Sequence, residues 1–180
     1  MKTLYLDMDG VLVDFVGRCD QLLGWEPGSY GHLPDREKHA HYVKAWKTVG
    51  KRKFFSEAAP LHLKDWKVLM EAAHENGWNV EILTSLGSYD GDMGEAAHAG
   101  KVEFLRKHYG DLIDLKALRR FNCVATSRQK QFYATPESYL VDDYDRNTRE
   151  FHDAGGRGFL YAEPNHKNLY PWLVKIAQEG

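Results

Sequence analysis

Cysteine is scarce in this 180-residue chain: Cys19 and Cys123 are the two present, without the close pairing of a zinc ribbon or a redox motif. That scarcity excludes a disulfide scaffold and points to a reducing compartment. Long apolar runs are also missing. Met1 leads directly into a short apolar segment and a carboxylate, with no signal-peptide core, and no stretch is long enough to cross a bilayer. A cytoplasmic protein with no membrane partner is therefore expected. Neither sign of charge is in large excess. The formal net charge of -2 gives no ground for a polyanion-binding surface, so a nucleic acid polymer is not an expected partner. Lys51, Arg52 and Lys53 form one local basic run, read as a solvated loop. Low-complexity segments and internal repeats are absent too, which excludes disordered and fibrous architectures.

What remains is a chain of the size of one compact domain with a small insertion. Short apolar runs at 3–6, 80–83, 121–124, 139–141 and 158–161 read as buried strands, and three of them run into polar residues: Asp7, Thr84 with Ser85, and Asp142 with Asp143. Helical stripes lie between them. Leu63, Trp66, Leu69, Met70 and Ala73 share one face ahead of Gly77, and Ala97, Phe104, Leu105 and Tyr109 share another ahead of Gly110. Residues 145–154 read as a further helix. Strands alternating with helices predict a parallel sheet in a three-layer α/β/α fold. In such sheets ligands sit beyond the carboxyl ends of the strands, so Asp7, Thr84 and Asp142 should converge. Residues 25–57 break the alternation, with a short helix expected around 41–48. They read as a small, mainly helical cap inserted into a core made of 1–24 and 58–180.

The segment Asp7-Met8-Asp9-Gly10 sets two carboxylates one residue apart where a buried strand ends. Two acids there call for a compensating cation. Asp7 and Asp142 can offer carboxylate oxygens and Asp9 its backbone carbonyl, an incomplete oxygen cage that suits Mg2+. This segment resembles the first motif of the haloacid dehalogenase (HAD) superfamily of phosphohydrolases, and Thr84-Ser85, Lys130 and Asp142-Asp143 resemble the next three in order. The resemblance spans nearly the whole chain and implies a Rossmann-like core. It implies that Asp7 attacks phosphorus, that Asp9 serves as general acid and then base, and that Thr84, Ser85 and Lys130 hold the phosphoryl group. Asp143 would orient a metal-bound water. A phosphate-accepting receiver domain uses similar residues, but it keeps its acidic pair near the first strand, whereas here a second pair follows the lysine. Lys101 and Lys116 read as surface lysines.

Within that superfamily the chain is most similar to the 5'(3')-deoxyribonucleotidases. The likeness runs through residues 7–15, Phe54-Phe55, Pro60, residues 101–110, 128–130 and 140–143, and Ala154-Gly155-Gly156. It departs in a longer loop at 86–94 and a longer spacing from Lys130 to Asp142. The resemblance implies a nucleoside monophosphate as substrate, with Phe15, Trp46, Phe54 and Phe55 holding the base and Arg128 contacting the substrate. A ring stacked on a base contributes on the order of 1 to 3 kcal/mol. A sugar phosphate is the alternative substrate. Two further patterns carry nothing: Asp90-Gly91-Asp92 lacks the remaining ligand spacing of a calcium loop and reads as a turn, and His39 and His41 read as cap surface.

Overall fold

The protein is described by a computed structural model over residues 1–29, 33–87, 92–116, 119–162 and 165–178. Five strands form one parallel sheet in the order β3-β2-β1-β4-β5: β1 Thr3–Leu6, β2 Asn79–Ser85, β3 Phe121–Val124, β4 Ser138–Asp142 and β5 Arg157–Leu160. Each expected strand is present, β2 and β4 being longer at both ends and β5 displaced by one residue. Leu6 is level with Ile82 on one side and with Val141 on the other. Asp7 donates its backbone N–H to Val141 at 2.9 Å, so Asp7 and Asp142 leave the sheet side by side. The strand order reverses between β1 and β4, and that reversal opens a crevice at the carboxyl edge where both aspartates sit.

Seven helices occur among the described residues: α1 Phe15–Leu23, α2 Asp35–Val49, α3 Lys51–Ser56, α4 Leu63–Glu75, α5 Asp92–Tyr109, α6 Asp145–Asp153 and α7 Leu169–Gln178. The stripe read for α4 packs as expected: Trp66, Leu69 and Met70 are buried, and Trp66 Nε1 donates to the Val11 carbonyl at 2.9 Å. The helix ends in a Schellman pattern, with Gly77 N bonded to His74 O and Trp78 N to Ala73 O. Ala97, Phe104, Leu105 and Tyr109 of α5 are likewise fully buried. Of the acidic turn at 90–92, Asp90 and Gly91 lie outside the described residues, as does part of the 86–94 loop; Asp92 opens α5.

The inserted segment departs from the sequence reading. α2 begins at Asp35 rather than near 41, and the basic run read as a solvated loop is instead the first turn of α3. Lys51 is buried there, its Nζ 4.6 Å from the centre of the Trp46 ring. α3 lies directly on α5. A Cβ on Gly100 would stand 2.3 Å from the Arg52 carbonyl oxygen, so this approach of two backbones requires glycine. Arg52 Nε also donates to Glu103 across the same seam at 2.9 Å. Cys19, Ala45, Phe54, Phe55 and Ala97 form a second apolar cluster, apart from the one around the sheet, joining α1, α2 and α3 to α5. His39 is exposed on α2, and the His41 ring stands against Trp25.

Candidate active site

β1 ends in a tight loop that turns back on itself: Leu12 and Val13 donate their backbone N–H groups to Met8 O at 2.9 and 2.8 Å. Met8, Val11, Leu12 and Val13 point inward and are fully buried, which anchors the loop and leaves its two aspartates at the crevice. Gly10 has φ +75, and a Cβ on it would lie 2.0 Å from Asp143 Oδ2, so glycine is required on both counts. Asp14 then starts α1 by accepting from Gly17 N at 2.9 Å.

Lys130 lies in a short 3-10 segment, Ser127–Tyr133, opened by a reciprocal cap between Thr126 and Gln129. Its Nζ is 2.9 Å from Asp7 Oδ1 and 2.6 Å from Asp142 Oδ2, and the side chain is almost wholly buried. Burial alone would lower the lysine pKa, but the two carboxylates more than reverse this and hold the ammonium charged. Asp142 also accepts from Tyr144 N at 2.9 Å and from Asn147 Nδ2 at 3.0 and 3.1 Å. Asn147, on the first turn of α6, is a support that the sequence reading missed.

Lys101 was the larger omission. Read as a surface lysine, it is only 1% exposed. Its Nζ donates to Asp9 Oδ2 at 2.9 Å, Thr84 Oγ1 at 2.8 Å and the Ser85 carbonyl at 3.0 Å. The ammonium also stands 4.7 Å from the centre of the Phe55 ring. The site therefore has two buried lysines, one gathering Asp7 with Asp142 and the other gathering Asp9 with the end of β2.

Carboxylate oxygens of Asp7, Asp142 and Asp143 lie within 4.8 Å of one another. This hard, all-oxygen donor set fits a small divalent cation such as Mg2+ and suits thiophilic metals poorly. The Asp9 carboxylate is not among the three. Burial, then repulsion from Asp7, raises the pKa of Asp142 against the opposing pull of Lys130. Asp143 is exposed as a residue, yet its carboxyl is pushed up to about 8, by loss of water around the group first and by repulsion from Asp7, Asp142 and Asp9 after it. Asp9 is raised by burial and by Asp7, with Lys101 opposing. Carboxylates this crowded carry more negative charge than Lys130 and Lys101 offset, as a cation-binding cluster would.

The expected substrate residues fall into two groups. Phe15 packs edge-on against Tyr42, Trp46 and Phe54 at centroid distances of 5.0, 6.2 and 5.3 Å. Phe54 is fully buried in that cluster and Phe55 nearly so, whereas Phe15 and Trp46 are partly exposed. Arg128 is exposed at the start of the 3-10 segment, two residues before Lys130. Among the described residues, no contact places its guanidinium with the aspartates.

No family model matches the chain, and no curated protein matches it in sequence. Solved structures do match. A predicted HAD-like family hydrolase from Porphyromonas gingivalis superposes with a TM-score of 0.52 at 11% identity, over 100% of this chain and 99% of that one. A haloacid dehalogenase-like family hydrolase from Xanthomonas campestris gives 0.51 at 15% identity, over 98% and 91%. The fold is that of the HAD-like hydrolases. An HAD family enzyme from Bacteroides thetaiotaomicron agrees, with a TM-score of 0.50 at 13% identity over 94% and 98% of the two chains. In this HAD-like fold the crevice at the β1/β4 reversal holds the acids, and α3 reaches its side through Phe55, 4.7 Å from the Lys101 ammonium.

Proposed function

We propose that the chain is a magnesium-dependent phosphatase acting on phosphate monoesters. The observation that carries this reading is the Asp7 carboxylate, fixed by Lys130 at 2.9 Å beside Asp142 and next to the three-oxygen cluster. A phosphoryl group in transfer spreads negative charge over its equatorial oxygens, so a nucleophile must be surrounded by fixed positive charge and donors. Lys130 and the Thr84 hydroxyl supply these. Asp7, Asp142 and Asp143 would hold Mg2+, which when bound would offset the charge of both the acids and the ester.

Asp7 attacks phosphorus and the ester oxygen leaves with its bonding electrons, taking a proton from Asp9. The resulting aspartyl phosphate is then hydrolysed by a water that gives its proton to Asp9, releasing inorganic phosphate and restoring Asp7. A deoxyribonucleoside monophosphate is the substrate best supported, by the aromatic cluster of the inserted helices and the likeness to the 5'(3')-deoxyribonucleotidases. Residues 25–57 would act as the cap, with Phe15 and Trp46 offering ring surface to the base and Phe54 supporting them from behind. A panel of phosphate esters tests this. Turnover of nucleoside monophosphates over sugar phosphates is expected; efficient turnover of sugar phosphates alone would reject the nucleotidase assignment. Absence of multiple turnover on any ester, with a stable phosphoprotein formed from a small phosphodonor, would favour a receiver-like domain.

A further inference from the structure

We propose that Lys101 is the positioning residue for Asp9, orienting it for proton transfer and tying that orientation to the inserted helix α3. The proposal rests on the phosphatase reading above and extends it to Lys101, to which the family resemblance gave no role. Three acceptors, Asp9 Oδ2, Thr84 Oγ1 and the Ser85 carbonyl, take the three N–H groups of the Lys101 ammonium. With its donors committed and its side chain buried, Lys101 is not available to bind substrate itself.

What those bonds do follows from the partners. By holding Asp9 through Oδ2, Lys101 fixes the rotation of the carboxyl and so the direction in which it can pass a proton. Oδ1 is buried and has no hydrogen-bond partner among the described residues. No second bond among the described residues therefore competes with Lys101 for the orientation of the carboxyl. By donating to Thr84 Oγ1, Lys101 occupies a lone pair of the hydroxyl and leaves its O–H free to donate elsewhere, as a phosphate ligand must. The link to α3 is equally specific. At Gly100, the residue before Lys101, a Cβ would stand 2.3 Å from the Arg52 carbonyl oxygen, and Phe55 of the same helix α3 has its ring centre 4.7 Å from the ammonium. The acid–base group and the inserted helix thus share one lysine.

The test compares two esters of the same ring, p-nitrophenyl phosphate and phenyl phosphate. The first leaves readily without a proton and the second needs one. kcat/KM, which reports formation of the phosphoenzyme, is measured for the wild type, Lys101→Met, Asp9→Asn and the double variant, each with Mg2+. General acid catalysis is worth about 10² to 10⁴ in rate, so Lys101→Met should lose at least about tenfold more on phenyl phosphate than on p-nitrophenyl phosphate. In the Asp9→Asn background the same substitution should cost little further, because the two residues act as a unit. Equal losses on both esters, or full additivity with Asp9→Asn, would overturn the proposal and leave Lys101 a structural lysine. A wild type that turns over no ester, neither these two nor any of the panel above, would remove the phosphatase reading and the proposal with it. If Lys101→Met does not fold, Lys101→Gln, which keeps a donor but loses the charge, is measured in its place against the same two outcomes.

Discussion

Lys130 and Asp142 form the tightest described contact of the buried site, 2.6 Å from Nζ to Oδ2, with both side chains withdrawn from solvent. The pair joins β4 to the 3-10 segment, and the same ammonium reaches Asp7 on β1. One cation thereby ties β1 to two neighbouring elements far along the chain.

Replacing Lys130 with Met should therefore damage folding as well as catalysis. Removing one partner of a buried ion pair strands the other, at about 3 to 5 kcal/mol. Here two carboxylates are stranded. Thermal melting of Lys130→Met is expected to show a large loss of stability in chelator, partly recovered by Mg2+, which can take over the neutralisation of Asp7 and Asp142. A melting temperature equal to the wild type in chelator would contradict this role.

The acid cluster also gives the stability of the metal-free protein a definite pH dependence. The Asp143 carboxyl is held at about 8 against an ordinary value of 3.8, and Asp9 and Asp142 are shifted in the same direction. A carboxyl whose folded-state pKa is raised binds its proton more tightly in the folded chain than in the unfolded one. Its contribution is thus present at low pH and is lost as pH climbs from the unfolded value through the folded one. Asp143 is exposed as a residue, so the direction is used here without an energy. Denaturant midpoints in chelator should fall between about pH 4 and pH 8, and Mg2+ should stabilise more at the upper end. A midpoint that rises across this range in chelator would contradict the assignment.

The aromatic cluster separates into support and contact. Phe54 is fully buried, so Phe54→Ala should cost about 3 to 5 kcal/mol of stability through the cavity it leaves. Trp46 is partly exposed, and its loss is expected to raise KM for nucleotides more than for a phosphate ester without a base, with a smaller effect on melting. Steady-state kinetics on the two ester types, beside the melting curves, checks both. Equal KM changes on both esters would make Trp46 a packing residue alone.

The fold was legible from the sequence because apolar runs and stripes are local signals. The runs that became β1, β2 and β4 end in carboxylates or hydroxyls, and a parallel sheet brings such ends together. The convergence of Asp7, Thr84 and Asp142 could be read for that reason, whereas Lys130 was read from its likeness to a family motif. Lys101 left a signal that was passed over: it stands four residues after Ala97 and three before Phe104, on the buried face of α5, where a lysine needs a partner. Its partners could not be read, since contact with Asp9 and Thr84 depends on how α5 sits over β1 and β2. Lys51 was misread for a related reason, because a run of three cations looks solvated unless the helix that turns one of them inward is known. Residues 35–39, polar throughout, show no apolar stripe to announce the start of α2. Asn147 became visible only when α6 set its amide against Asp142.

The most direct test of the account concerns the nucleophile. Asp7→Asn keeps the size of the side chain and a partner for Lys130 while removing the charge that attacks phosphorus. With Mg2+ and the best ester of the panel, wild-type protein should turn over many times and give an acid-stable phosphoprotein on rapid quenching. Folded Asp7→Asn should give neither turnover nor label. Full turnover by verified Asp7→Asn protein would contradict the account.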